Sequence, residues 1–124
     1  ILFPTLTCEE CLMFAASMKL NKGPKQNRKR VEELIEQLRL TSCRKTRIGN
    51  VFMKGCSGGE RKRIAIGVEL IFNPSVIFLD EPTSGLDSFT AKIIVKILDQ
   101  QASLGKIVIA TIHQPSSDTY ALFG

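Results

Sequence analysis

The chain has 124 residues, of which 44% are hydrophobic and 23% are charged, and its formal net charge is +5. This balance excludes a disordered chain, and the length allows one small domain or part of a larger one. The uninterrupted apolar runs, such as residues 107–110, are far shorter than the ~20 residues of a membrane-spanning helix. Because the chain opens on isoleucine, without a signal peptide, we expect a piece of a longer protein.

The charge is distributed unevenly along the chain. Residues 1–63 carry 14 Lys and Arg against 6 acids, whereas residues 64–124 carry 3 against 6. A basic surface can bind nucleic acid or an anionic membrane. Because the basic residues are not interleaved with aromatic ones, we favour a solvated face with a phosphate-handling surface and expect no nucleic-acid partner.

In the first half, apolar spacing predicts two helices. Thr7 and Glu10 form a capping box that opens a helix of about three turns. Its apolar side carries Cys8 and Cys11, and because no second close cysteine pair completes a zinc site, we predict free, reduced thiols in an intracellular compartment. Residues 21–27 are predicted to be a loop, and a second amphipathic helix follows them. Residues 41–55 show no clear period and are predicted to be irregular.

The segment Ser57-Gly58-Gly59-Glu60 combines a second capping box with two glycines. It predicts a helix to about residue 72, where Asn-Pro ends it. Glycines lower helix propensity, but they let a polyanion approach the free N–H groups at the positive end of a helix. We therefore favour a phosphate-binding helix start over an ordinary capped helix. The basic residues 61–63 are compatible with a solvated face or with a phosphate or partner contact.

The last third of the chain predicts a βαβ unit. Residues 76–79 and 107–112 are apolar throughout, as in strands buried on both faces of a parallel sheet. A turn at 82–87 and a helix from about 88 to 104, followed by Gly105, lie between them. A strand, a helix and a strand at this spacing favour parallel pairing with a right-handed crossover, so the predicted fold class is α/β.

Two carboxylates, Asp80 and Glu81, follow the first predicted strand, where α/β sheets bind ligands. Mg²⁺ on a nucleotide would neutralise them, with Asp80 in its coordination sphere, and Glu81 could orient or deprotonate the attacking water. The alternative, acids that cap a neighbouring helix, is disfavoured by the sequence Pro-Thr-Ser-Gly-Leu-Asp that follows. His113 follows the second strand directly and could contact a terminal phosphate. No stretch matches the phosphate-binding loop G-x-x-x-x-G-K-[ST].

In this order, these motifs resemble the second half of an ATP-binding cassette (ABC) transporter ATPase. Residues 56–63 resemble the signature motif, residues 76–81 the Walker B strand with its catalytic glutamate, and residues 84–87 the D-loop. His113 resembles the switch histidine. Four further segments are similar to the G subfamily, the White/pleiotropic-drug-resistance-like half transporters: residues 2–7, 46–49, 60–63 and 112–117.

The resemblance implies a P-loop NTPase-like fold and a division of the chain. Residues 1–55 would be part of the helical signature subdomain, and residues 56–124 the signature helix with the Walker B, D-loop and switch-histidine part of the core. The Walker A half would precede the chain, and a membrane domain would follow residue 124. The fragment alone would then be inactive.

The resemblance also implies roles for the candidate site residues. Glu81 and His113 would be catalytic, Asp80 would bind Mg²⁺, and a second cassette would pair head to tail across ATP. The residues expected to contact the nucleotide are Ser57, Gly58, Gly59, Glu60 and Asp87.

The function that follows is part of the ATP-hydrolysing domain of a transporter at the cytoplasmic face of a membrane. The expected transport is export of lipids, sterols or other hydrophobic compounds. One alternative is a soluble cassette ATPase that acts on nucleic acid or ribosomes. Another is a truncated, inactive fragment that serves only as an interaction piece.

Overall fold

A computed structural model describes residues 2–112 of the chain. This part forms two compact units, which divide between Asn73 and Pro74. The elements in chain order are α1 (Cys8–Lys19), α2 (Pro24–Gln37), a 3-10 turn (Thr41–Cys43), α3 (Gly58–Leu70), β1 (Val76–Asp80), α4 (Ser88–Ser103) and β2 (Ile107–Thr111). None of the described helices is long and apolar enough to cross a membrane.

The first unit is a packed set of three helices. Helix α1 contacts both α2 and α3, and α2 contacts α3. Since α3 packs with these helices, it belongs to the same compact unit. The division of the chain at residue 55 into subdomains stays a prediction. The predicted capping box of Thr7 and Glu10 is present at the start of α1. Residues 41–55 are irregular, as predicted, apart from the 3-10 turn and an isolated antiparallel bridge between Thr7 and Arg47.

Helix α2 begins earlier than the sequence predicted. Gly23 is its N-cap and Pro24 its first residue, so the prediction of a loop through residue 27 is wrong. The physical reason is that the fixed φ of proline suits the first helical position, where its missing N–H has no intrahelical partner to lose. A Gly-Pro pair therefore starts this helix instead of extending the loop.

A buried carboxylate, Glu9, joins α1 to the irregular segment. Its side chain is only 11% exposed, and it accepts hydrogen bonds from Arg44 Nε at 2.8 Å and Lys45 Nζ at 3.3 Å. Arg44 also pairs with Glu32 of α2. The hydrogen bond from Arg44 is the main reason that the pKa of Glu9 lies below its ordinary value of 4.5. Burial acts in the opposite direction and is outweighed.

This network predicts how stability depends on pH. The unfolded chain takes up a proton on Glu9 at a higher pH than the folded chain does, so the contribution of Glu9 is fully present above about pH 4.5 and is lost as the pH falls through the lowered folded pKa. We expect Glu9→Gln to lower the free energy of unfolding by about 1–3 kcal/mol at pH 7, and by much less at pH 3. Urea unfolding at both pH values measures this, and an equal loss at both would contradict it.

The second unit contains the predicted βαβ arrangement. β1 and β2 pair in parallel, with Val76 opposite Ile107 and Asp80 opposite Thr111, and α4 contacts β2. Gly105 follows the α4 C-cap with a φ of +89°, as its predicted position requires. The expectation of burial on both faces is wrong for the described residues: Ile77 is buried, but Phe78 is 71% exposed. The reason is that side chains alternate across a strand, and one face of this pair is left uncovered.

Candidate functional site

The first part of the candidate site is the start of α3. Ser57 Oγ accepts the backbone N–H of Glu60 at 3.1 Å, and Glu60 Oε1 accepts that of Ser57 at 2.8 Å. This reciprocal cap confirms the predicted helix start. The backbone hydrogen bond from Ser57 is the largest cause that lowers the pKa of Glu60. Between Ser57 and Glu60, Gly58 is exposed and Gly59 is buried. At Gly58, no side chain stands between solvent and the backbone of the first turn.

Two of the basic residues that follow bind backbone oxygens of the same unit. Arg61 Nη1 donates to the carbonyl of Cys56 at 2.8 Å. Arg63 Nη1 donates to the carbonyls of Leu38 at 3.2 Å and Arg39 at 2.9 Å. The contacts of Arg63 hold the start of α3 against the end of α2. The sequence was compatible with a solvated face or with a phosphate or partner contact for these residues. The structure shows that Arg61 and Arg63 also bind backbone carbonyls near the start of α3.

The second part of the candidate site lies at the carboxyl ends of the paired strands. Thr111 Oγ1 donates to Asp80 Oδ1 at 2.6 Å, so one carboxylate oxygen is held. The backbone N–H of Glu81 donates to Thr111 at two atoms, Oγ1 at 2.8 Å and the carbonyl oxygen at 3.1 Å. Glu81 has a φ of +46°, which is uncommon for a residue with a side chain. The chain therefore turns sharply at Glu81. The backbone runs in different directions at Asp80 and at Glu81.

A tight turn connects this edge to α4. Ser84 N–H donates to the carbonyl of Glu81 at 3.1 Å, and Gly85 adopts a φ of +75°. Asp87 then caps α4, with Oδ1 accepting the N–H of Thr90 at 3.2 Å. The side chain of Thr90 first, and its backbone N–H second, lower the pKa of Asp87 by hydrogen bonding. Asp87 is thus held in place as an exposed anion at the start of α4.

The structure locates all but one of the predicted site residues. Asp80, Glu81 and Asp87 lie along one strand end and its following turn, and residues 57–60 form the start of α3 in the other unit. His113 lies outside the described residues. Thr111 was not predicted as a site residue, although it hydrogen-bonds to the carboxylate of Asp80 and to the backbone N–H of Glu81. The feature that could have indicated it is a polar residue near the end of an apolar strand, in parallel register with Asp80.

Comparison with known proteins identifies the class to which this arrangement belongs. Residues 1–84 match the model of the ABC transporter family. The chain is 50% identical over 124 residues to ATP-binding cassette sub-family G member 8 of Homo sapiens, a match that covers 98% of the chain and 18% of that protein. It is 51% identical to ABC transporter G family member 16 of Arabidopsis thaliana, over 98% of the chain and 17% of that protein.

The chain therefore belongs to the ABC transporter family, as a part of the ATP-binding domain of the G subfamily. The predicted family, subfamily and α/β fold class are confirmed. The alternative of a soluble ATPase acting on nucleic acid or ribosomes is not favoured. The chain spans less than a fifth of the length of these relatives.

Proposed function

We propose that the parent of this chain hydrolyses ATP to drive export of lipids, sterols or other hydrophobic compounds across a membrane. The observation that carries the proposal is the pair of carboxylates at the carboxyl end of β1, with Asp80 held by Thr111 and Glu81 on a sharp turn. A second supporting feature is the glycine-containing start of α3. Membership of the G subfamily supports the transport role.

The residues present fit a Mg²⁺-nucleotide. Asp80 is exposed and hydrogen-bonds to Thr111 through Oδ1, and carboxylate oxygen is a hard donor that suits Mg²⁺. When bound, Mg²⁺ would neutralise negative charge on the phosphates of the nucleotide. The positive end of α3, next to the exposed Gly58, suits phosphate oxygens. Asp80 would hold the metal, and residues 57–60 with Asp87 would contact the nucleotide.

Glu81 is proposed to act on the attacking water. Its backbone N–H is fixed by two hydrogen bonds to Thr111. The pairing of the two strands therefore sets the position of the Glu81 backbone. A carboxylate so placed can orient a water molecule or take its proton. His113 is proposed to contact the terminal phosphate. Both roles follow the resemblance to the cassette motifs.

The same proposal includes the partners of the cassette. Each ATP would lie between one cassette and the signature helix of a second cassette, and a membrane domain would follow residue 124. The parent would then lie at the cytoplasmic face of an integral membrane transporter. Stimulation of its ATP turnover by a sterol or phospholipid, in vesicles that contain the purified parent, would support the substrate class, and an unchanged rate with both would oppose it.

The metal role of Asp80 predicts a specific loss in the parent. Asp80→Asn removes the charge that faces the cation, so we expect Mg²⁺-dependent nucleotide binding to weaken and ATP turnover to fall about 10²-fold or more. Asp99→Asn, the same change at an exposed position of α4, is the matched control and should leave both unchanged. Titration with ATP at several Mg²⁺ concentrations measures the effect, and equal behaviour of the two variants would refute the role.

A further inference from the structure

Three potential metal ligands from different segments meet at the base of α3. They are the thiols of Cys43 and Cys56 and the carboxylate of Glu60, whose ligand atoms all lie within 4.8 Å of one another. Cys43 is 4% exposed and Cys56 is 3% exposed, while Glu60 is half-buried. Cys43 ends the 3-10 turn, Cys56 lies just before the helix, and Glu60 lies in its first turn. The cluster is therefore buried on the thiol side and reaches solvent through Glu60.

The three donors already have identified partners. The Cys43 thiol donates to the carbonyl of Leu40 at 3.6 Å, and the Cys56 thiol donates to the carbonyl of Thr46 at 3.9 Å. Glu60 Oε1 accepts the N–H of Ser57 at 2.8 Å, and the carboxylate carries a second oxygen. Two sulfurs and one carboxylate thus form the donor set.

We propose that Cys43, Cys56 and Glu60 form a three-ligand site for a thiophilic divalent cation, and specifically for Zn²⁺, with water in the fourth position. Tetrahedral zinc with Zn–S bonds of about 2.3 Å separates its sulfur ligands by about 3.8 Å. The ligand atoms of Cys43, Cys56 and Glu60 lie within 4.8 Å of one another, so a contraction of about 1 Å or less reaches that spacing. All four cysteines are free thiols, so no disulfide competes for these sulfurs.

A cation beside the cluster could balance the charge of a metal-bound thiolate. Arg61 Nη1 donates to the carbonyl of Cys56 at 2.8 Å, so its guanidinium lies next to this ligand. Its positive charge would offset the negative charge of a zinc-thiolate group.

The donor chemistry separates this site from the proposed Mg²⁺ site. Thiolates select Zn²⁺ over Mg²⁺, whereas the carboxylate of Asp80 suits the harder cation. A bound zinc would join the 3-10 turn to the first turn of α3. It would thereby fix the helix start that carries Gly58 and Gly59.

Zinc binding by the parent protein tests this inference. The protein is stripped with a chelator under reducing conditions, equilibrated with Zn²⁺ without nucleotide, and analysed for bound zinc. We expect one more zinc per chain than in the double variant Cys43→Ser, Cys56→Ser. Cys11→Ser is the matched control, since Cys11 is equally buried, at 4%, but lies outside the ligand group. It should retain the zinc, and equal zinc content in the double variant and the wild type would overturn the proposal.

A second measurement remains decisive if the double variant fails to fold. Co²⁺ replaces Zn²⁺ in the wild-type parent, and thiolate ligation gives a sulfur-to-cobalt charge-transfer absorption. Glu60→Gln keeps an oxygen that can accept the N–H of Ser57 but removes the anionic ligand, so we expect Co²⁺ affinity to fall at least about tenfold. Absence of the charge-transfer band in the wild type, or unchanged Co²⁺ affinity in Glu60→Gln, would contradict the site.

Discussion

Glu81→Gln in the parent transporter should reduce ATP turnover by roughly 10²- to 10⁴-fold while nucleotide stays bound. Glutamine keeps the size of the side chain but can neither take a proton nor carry the charge that orients water. The backbone hydrogen bonds from Glu81 to Thr111 do not involve the side chain, so the turn at the end of β1 should persist. Binding should persist because the proposed metal ligand, Asp80, is untouched.

Single-turnover kinetics and nucleotide retention on the same preparation measure the two halves of this expectation. Glu69→Gln is the matched control, because Glu69 is an exposed glutamate in the last turn of α3. It should hydrolyse ATP at the wild-type rate. Comparison with Asp80→Asn separates the two acids: loss of nucleotide binding in Glu81→Gln as large as in Asp80→Asn would contradict their separate roles.

The second large effect is expected from Gly58→Asp. It places a β-carbon and a negative charge on the first turn of α3, where phosphate oxygens are proposed to approach, and both should oppose closure on ATP. An acid in the first turn favours a helix, so loss of α3 does not explain the defect. Gly23→Asp is the matched control: Gly23 is the N-cap of α2, has open space around it, and should tolerate the change.

Covalently linked pairs of cassettes test whether Gly58 acts on the ATP of its partner. If it does, Gly58→Asp and Glu81→Gln in the same subunit damage both composite sites. With one lesion in each subunit, both fall in one site and the other stays intact. We expect about half of the wild-type turnover in the second arrangement and almost none in the first. Turnover that does not depend on the arrangement would refute action in trans.

The local signals in the sequence were sufficient for the helix starts of the candidate site. Ser57 and Glu60 specify a capping box through a fixed spacing of three residues, and the structure contains it. The apolar runs around Ile77 and Val108 predicted the strands and their parallel pairing. These features depend on residues that are close in the chain, or on a short connection between two strands. They can therefore be predicted from the sequence.

The Gly-Pro pair at residues 23 and 24 has two structural uses, and the sequence pattern predicted the wrong one. Gly23-Pro24 is typical of turns, but proline is also favoured at the first position of a helix, and here that use prevails. Similarly, an apolar run indicates a strand but not how many of its faces are covered, and Phe78 is largely exposed in this chain. Coverage depends on which elements pack against the sheet, which the run itself does not encode.

By itself, the sequence determined the family, the order of the helices and strands, and the identity of the acidic and glycine-containing motifs, since each is a short pattern along the chain. Only the tertiary structure brought Thr111 to Asp80, because strand register decides which residues face each other across the sheet. Only it gathered Cys43, Cys56 and Glu60 into one cluster, where spacing had suggested unconnected thiols. The reason is that the irregular segment folds back on the start of α3, where the N–H of Cys56 donates to the carbonyl of Arg47 at 3.0 Å. This brings together side chains whose separation along the chain carries no recognisable period.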